Sequence, residues 1–345
     1  MGITHPKYKV AAVQAAPVFL DLDGAVDKTI ALVEEAAKKG AKLIAFPETW
    51  IPGYPWWIWL GSHAWAVQRG FVQRYYDNSL SYEDPQAERI RQAAKQNNIT
   101  IVLGFSERES TTGTLYISQW LIGPDGDTIA KRRKIRPTHS ERTVFGEGDG
   151  SDLAVHATDL GRLGALNCWE NLLSLNRYAM FSQNEQVHVA AWPSFSTYEP
   201  FANALGADVN NAVSKVYAVE GACFVIGPSA IISQEMIDTL CDTPDKHELT
   251  HVGGGHAVIY GPDGSLLCEK LPETEEGILY ADIDLAQISL AKNAMDPCGH
   301  YSRPDVMRLM LNKTPMSRVE HLALPLDVQD EFPVKADKGN DKGLD

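Results

Sequence analysis

Apolar residues along this chain follow two rhythms. Short unbroken runs suit buried strands, and longer stretches with an apolar residue every third or fourth position suit helices. Lys9 to Ala15 and Lys42 to Phe46 predict strands. Between them Val26, Ile30, Val33 and Ala37 recur at helical spacing, with Asp23 placed to cap the helix and Gly40 to end it, which makes a β-α-β unit. Asp84-Pro85 predicts a second helix start, because proline at the first helical position loses nothing by lacking an N–H, and this helix leads into a strand from Thr100 to Phe105. The period then changes. Leu115 to Ile122 and Asp127 to Lys134 predict neighbouring strands joined by the turn Gly123-Pro124-Asp125-Gly126.

The second half repeats the pattern. A short apolar strand ending at Asn167 breaks into a helix reaching about Gln183, followed by a strand Val187 to Trp192, a helix Asp208 to Glu220 and a strand Cys223 to Ile232. Gly261-Pro262-Asp263-Gly264 predicts another hairpin turn, between strands His256 to Tyr260 and Leu266 to Leu271. Two such halves suggest two packed sheets with helices outside, an α-β-β-α sandwich of the α/β class, although the rhythm also fits one doubly wound sheet. No Pro/Gly/Ser-rich linker interrupts the chain, so residues 1–326 are expected to form a single domain and the charged stretch 327–345 a mobile tail.

A formal charge of −14 argues against nucleic acid or an anionic membrane as partner and leaves a small neutral substrate as the easier expectation. The five cysteines, Cys168, Cys223, Cys241, Cys268 and Cys298, form no C-x-x-C pair or zinc spacing, which suits a reduced, cytoplasmic protein. No secretory signal and no apolar stretch of about 20 residues stands in the sequence.

Three strand ends carry chemistry. Cys168 stands where a strand turns into a helix, and the free N–H groups of the new helix are expected to lower its pKa and to hold an oxyanion. Glu48 ends the run Leu43-Ile44-Ala45-Phe46-Pro47 and is followed by Trp50, Tyr54, Trp56, Trp57 and Trp59, an aromatic wall that would raise its pKa and make it a better base. Along an extended strand Arg132, Lys134 and Arg136 share one face and Lys131 and Arg133 the other, so one of the lysines can turn inward. Glu141, in Pro137-Thr138-His139-Ser140-Glu141-Arg142, supplies a second carboxylate. His139, His156 and His188 raise the alternative of a Cys-His dyad or a metal site, for which the spacing fixes no geometry.

With these segments together, the chain resembles the nitrilase superfamily and, within it, the nitrilase branch. The family's Glu-Lys-Cys triad maps onto Glu48 in FPETWIPGYP, Lys134 in RRKIRPTHSER and Cys168 in LNCWEN, with Glu141 as the accessory glutamate. The segments 145–152, 185–193 and 299–305 are also family-like. The resemblance implies the α-β-β-α fold, dimers that grow into spiral oligomers, no cofactor and no metal, and it selects Lys134 over Lys131. It implies hydrolysis of a nitrile to an acid and ammonia through a cysteine thioimidate and thioester. The aromatic stretch looks most like the arylacetonitrilases, with Tyr54, Trp57, Thr138, Phe145, Trp169, Trp192 and Pro193 expected to line the substrate pocket. The alternatives are an amidase, carbamoylase or cyanide-converting member of the superfamily, or a non-catalytic scaffold of the same fold.

Overall fold

A computed structural model of the chain describes residues 4–197 and 202–319. Through Thr314 the chain is one compact unit, and the unit that starts at Pro315 is described only as far as residue 319. The expected boundary between residues 326 and 327 and the tail beyond it lie outside the described residues.

Two sheets carry the fold. Strands β1 (Lys7–Ala15), β2 (Ala41–Ala45), β3 (Thr100–Arg108), β4 (Leu115–Ile122) and β5 (Thr128–Arg133) lie side by side in chain order in the first. The second takes β6 (His156–Thr158), β7 (Gly161–Asn167), β8 (Val187–Ala191) and β9 (Phe224–Gly227). The short β10 (Ser229–Ala230) returns to β1, β11 (Val258–Tyr260) closes the second sheet against β9, and β12 (Gly277–Asp284) runs antiparallel to β1.

Strand alternation builds the layers. Ala11, Val13 and Ala15 of β1 pack with Val26, Val33 and Ala36 of the helix Leu22–Lys38 and with Ile90 and Ala94 of the helix Pro85–Asn97. Val10 and Ala12, one position out of phase, meet Leu163, Ala165, Val187, Val189, Phe224 and Ile226 across the sheet interface. The outer face of the second sheet, including Leu166, Ala190 and Val225, is covered by the helices Ser174–Phe181 and Ala207–Gly221. The order is therefore α-β-β-α, and each fully buried Val, Leu or Ile in these layers stabilises it by about 1.5–3 kcal/mol.

Several local expectations change. The first helix is capped by Asp21, whose side chain accepts from the Gly24 N–H, and Asp23 stands in its first turn. The run Cys223 to Ile232 is not one strand, because Pro228 cannot donate to a ladder and the chain crosses there from the second sheet to the first. Leu266 to Leu271 contributes a single bridge, Leu266 to Tyr260, rather than a strand. The aromatic stretch after Glu48 opens into three short helices, Trp57–Leu60, His63–Gln68 and Phe71–Asn78.

Candidate active site

β2, β5 and β7 each release a candidate residue just beyond their C-terminal ends, two from the first sheet and one from the second. Glu48 follows Pro47, whose carbonyl oxygen lies so close to β3 that a Cβ on Gly104 would come within 2.0 Å of it; only glycine leaves that space. The Glu48 N–H donates to the Trp192 carbonyl at 3.3 Å, which ties the glutamate to the chain leaving β8. Lys134 extends the β4–β5 ladder by one residue, its N–H donating to the Ile117 carbonyl at 2.7 Å. Alternation then turns Arg132 and Lys134 inward and leaves Lys131 outside, over the Tyr82 ring. Arg136 does not share that face. The strand has ended, and Arg136 pairs with Glu147 at the surface.

Lys134 Nζ donates to Glu48 Oε2 at 3.0 Å and to Glu141 Oε2 at 2.8 Å, with all three side chains buried. Among the described residues Glu48 Oε1 has no hydrogen-bond partner. Glu141 sits in a 3-10 turn, His139–Thr143, where its Oε2 also accepts the Thr138 N–H and its Oε1 accepts the Tyr54 hydroxyl at 2.9 Å. Burial pushes the Glu48 carboxyl up to about 8, although Lys134 pulls the other way. Burial pulls the Lys134 pKa down, but the Coulomb pull of Glu141 and Glu48 outweighs it and holds the ammonium well above its ordinary range.

Cys168 departs from the expected elbow. It begins a 3-10 turn, Cys168–Asn171, and the helix proper starts only at Ser174. Its backbone is left-handed, with φ +48°, a conformation that costs a non-glycine residue on the order of 1–3 kcal/mol and is common where geometry serves a site. The thiol pKa is raised rather than lowered, first by burial and then by Glu48, while Lys134 and the backbone N–H of Trp169 act in the opposite direction.

The expected pocket residues divide. Tyr54, Thr138, Trp169 and Trp192 touch the cluster through the bonds just described. The Trp192 indole packs in the same apolar cluster as Cys168 and donates to the Ser214 hydroxyl at 3.1 Å. Trp57 and Phe145 share an apolar cluster with Tyr54, Trp57 stacking on Phe71 at 5.6 Å. Pro193 is buried, and its carbonyl meets the Ser229 hydroxyl. Of the histidines, His139 stacks on Trp59 at the surface, His156 lies on β6, and His188 is buried against Glu185 and Asn171. Among the described residues no group of three His, Cys, Asp or Glu side chains could hold a metal ion, and no helix is long and apolar enough to cross a membrane.

Sequence reasoning missed the residue that joins the lysine and cysteine segments. Glu170 accepts from Arg132 Nη2 and the Ile135 N–H through Oε1, at 2.8 Å each, and from Arg132 Nη1 and the Asn167 N–H through Oε2, at 3.0 and 2.8 Å. The Asn167-x-x-Glu170 spacing, a capping-box pattern, was the available signal.

The carbon-nitrogen hydrolase family model matches residues 9–293. A nitrilase of Pseudomonas syringae pv. syringae is 59% identical over 89% of this chain and 90% of its own length. An aliphatic nitrilase of Rhodococcus rhodochrous is 48% identical over 91% of this chain and 82% of its own. An arylacetone-specific nitrilase of Alcaligenes faecalis is also 48% identical, over 96% and 92%. In three dimensions a carbon-nitrogen hydrolase from Helicobacter pylori superposes with a TM-score of 0.67 at 17% identity, covering 87% of this chain and 97% of that one, which shows the shared fold. By sequence match, relatives and architecture together, the chain belongs to the carbon-nitrogen hydrolase family and, within it, to the nitrilase branch.

Proposed function

We propose that the chain hydrolyses an organic nitrile to a carboxylic acid and ammonia, with Cys168 as nucleophile, Glu48 as general base and Lys134 as the cation that steadies charge on the nitrile nitrogen. The observation that carries this reading is the buried Glu48–Lys134–Glu141 cluster within electrostatic reach of the Cys168 sulfur. Lys134 occupies one oxygen of Glu48, so Oε1 is the atom able to take the thiol proton. The thiolate adds to the nitrile carbon, Lys134 with the Trp169 N–H stabilises the charge that moves to nitrogen, and Glu48 passes the thiol proton to that nitrogen, which leaves a thioimidate and a free carboxylate. Water, losing its proton to Glu48, adds to the same carbon. Cleavage of the C–N bond releases ammonia and leaves a thioester, which a second water hydrolyses to the acid and the free thiol. Glu141 keeps Lys134 charged and in place.

The substrate proposed is an arylacetonitrile. Tyr54, Trp57 and Phe145 share one apolar cluster and Trp192 shares another with Cys168, and burying a phenyl group against such rings is worth a few kcal/mol, on the order expected from area and ring contacts. The relatives named above include an aliphatic and an arylacetone-specific nitrilase, so the preference rests on these rings. Ammonia release from phenylacetonitrile, benzonitrile, a dinitrile and the matching amides tests both parts. Highest kcat/KM on phenylacetonitrile is expected. A preference for the dinitrile would refute the substrate, and a preference for the amides would refute nitrile hydrolysis.

The protein is further proposed to form homodimers that build larger oligomers. Exposed Leu173, Leu175 and Val216, on and beside the helices that cover the Cys168-bearing sheet, support this. A cytoplasmic location is proposed on the unpaired cysteines, all five of which are free.

A further inference from the structure

Behind Cys168 lies a buried polar chain that the mechanism above does not use. Asn171 Nδ2 donates to the Cys168 carbonyl at 2.9 Å and reaches the Leu166 carbonyl at 3.4 Å. With its amide nitrogen facing two carbonyls, Asn171 turns its Oδ1 to His188 Nε2, at 2.8 Å, so the ring must carry a proton on Nε2. On its other side His188 Nδ1 stands 2.7 Å from Glu185 Oε1, and Glu185 Oε2 accepts the Tyr217 hydroxyl at 2.6 Å. The Tyr217 ring stacks on the imidazole at 3.8 Å. Asn171, His188 and Tyr217 are each 0% exposed and Glu185 1%, so no water competes for these bonds.

The placement follows from the strands. Val187, Val189 and Ala191 of β8 fill the space between the sheets, which sends His188 to the outer face under the helix that carries Tyr217. Gly164 on β7, paired with His188, makes room for the carboxylate; a Cβ there would lie 1.9 Å from Glu185 Oε1. His188 is thus linked to the Cys168 carbonyl through Asn171.

We propose that Glu185, His188 and Asn171 are positioning residues: they hold the Cys168 carbonyl, and with it the left-handed backbone that aims the sulfur and the Trp169 N–H at the nitrile. This rests on Cys168 being the nucleophile. The relay fixes where the sulfur stands and leaves its acid–base partners, Glu48 and Lys134, untouched.

The test uses Asn171→Leu, which keeps roughly the same size, cannot donate to the Cys168 carbonyl and adds no charge beside the sulfur, and His188→Leu, which removes the ring donor. Each is compared with wild type, by circular dichroism and sizing for fold, by kcat and KM on phenylacetonitrile, and by the rate of iodoacetamide alkylation of Cys168 against pH, followed by peptide mass. The alkylation reads Cys168 itself, so it reports on the relay even if turnover proves to use another group. The expected result for folded Asn171→Leu is a fall in kcat of at least tenfold with KM within twofold, and a lower alkylation plateau at an unchanged midpoint pH. His188→Leu, where it folds, follows the same pattern. Wild-type kcat and alkylation in folded Asn171→Leu would overturn the proposal. So would a shifted alkylation midpoint in His188→Leu, since that would make His188 an acid–base partner of the sulfur.

Discussion

Lys134 is gripped by two carboxylates at once, and its compact ammonium fits between them where a planar guanidinium would not. Lys134→Arg should therefore lose kcat by roughly a hundredfold or more, close to Lys134→Ala, the scale seen when one charge-stabilising donor is removed from a site. A near-normal rate in steady-state assays of Lys134→Arg would mean that charge alone suffices. Glu48 makes a second prediction. Its carboxyl, pushed by burial up to about 8, holds a proton below that pH and cannot accept the thiol's, so kcat/KM should rise with pH through an apparent pKa near 8. A pH–rate profile flat from pH 6 to 9 would remove Glu48 as the base. At this scale the strand-end positions of Glu48, Lys134 and Cys168 were legible from apolar runs and alternation. Their pKa directions were only half legible: burial was foreseeable for Glu48, whereas the helix expected to acidify Cys168 starts too late to do so.

Elements are joined at the site by Glu170, which ends the first turn after β7 and binds the chain leaving β5. Its pair with Arg132 is buried, at 1% and 4% side-chain exposure, so Glu170→Gln leaves a guanidinium without its counter-charge. Removing one partner of such a pair costs about 3–5 kcal/mol. The expected outcome is a clear drop in melting temperature together with reduced kcat, because the lysine and cysteine segments lose their common anchor. Unchanged melting in Glu170→Gln would show that the pair holds nothing together. Elements with local signals were readable: Leu115–Ile122 appears with the expected bounds, and the Gly126 turn forms with φ +83°. Where the partner was distant the signal failed. β12 pairs with β1 across most of the chain, and nothing local in Gly277–Asp284 announces that register. The run around Pro228 reads as one strand until the proline's missing N–H is weighed.

The whole molecule places the Cys168-bearing sheet against the one that carries Glu48 and Lys134, so the site exists only when both sheets are assembled. The two-sheet architecture was suggested by the repeated rhythm but not separated from a single sheet by it, because alternation tells which residues share a face and not what the face meets. Residues 327–345 are predicted to matter for assembly rather than chemistry. A chain ending at residue 326 should change its elution on sizing while retaining turnover per subunit, and an unchanged assembly with all turnover lost would contradict this. All of the proposed chemistry depends on the Cys168 sulfur forming the covalent bond to the substrate. That dependence is tested most directly by ammonia release from phenylacetonitrile by Cys168→Ala, with wild-type circular dichroism and sizing as the check on fold. A folded, assembled protein with no turnover above background is expected; a folded Cys168→Ala that still releases ammonia at a substantial fraction of the wild-type rate would rule out the sulfur as nucleophile.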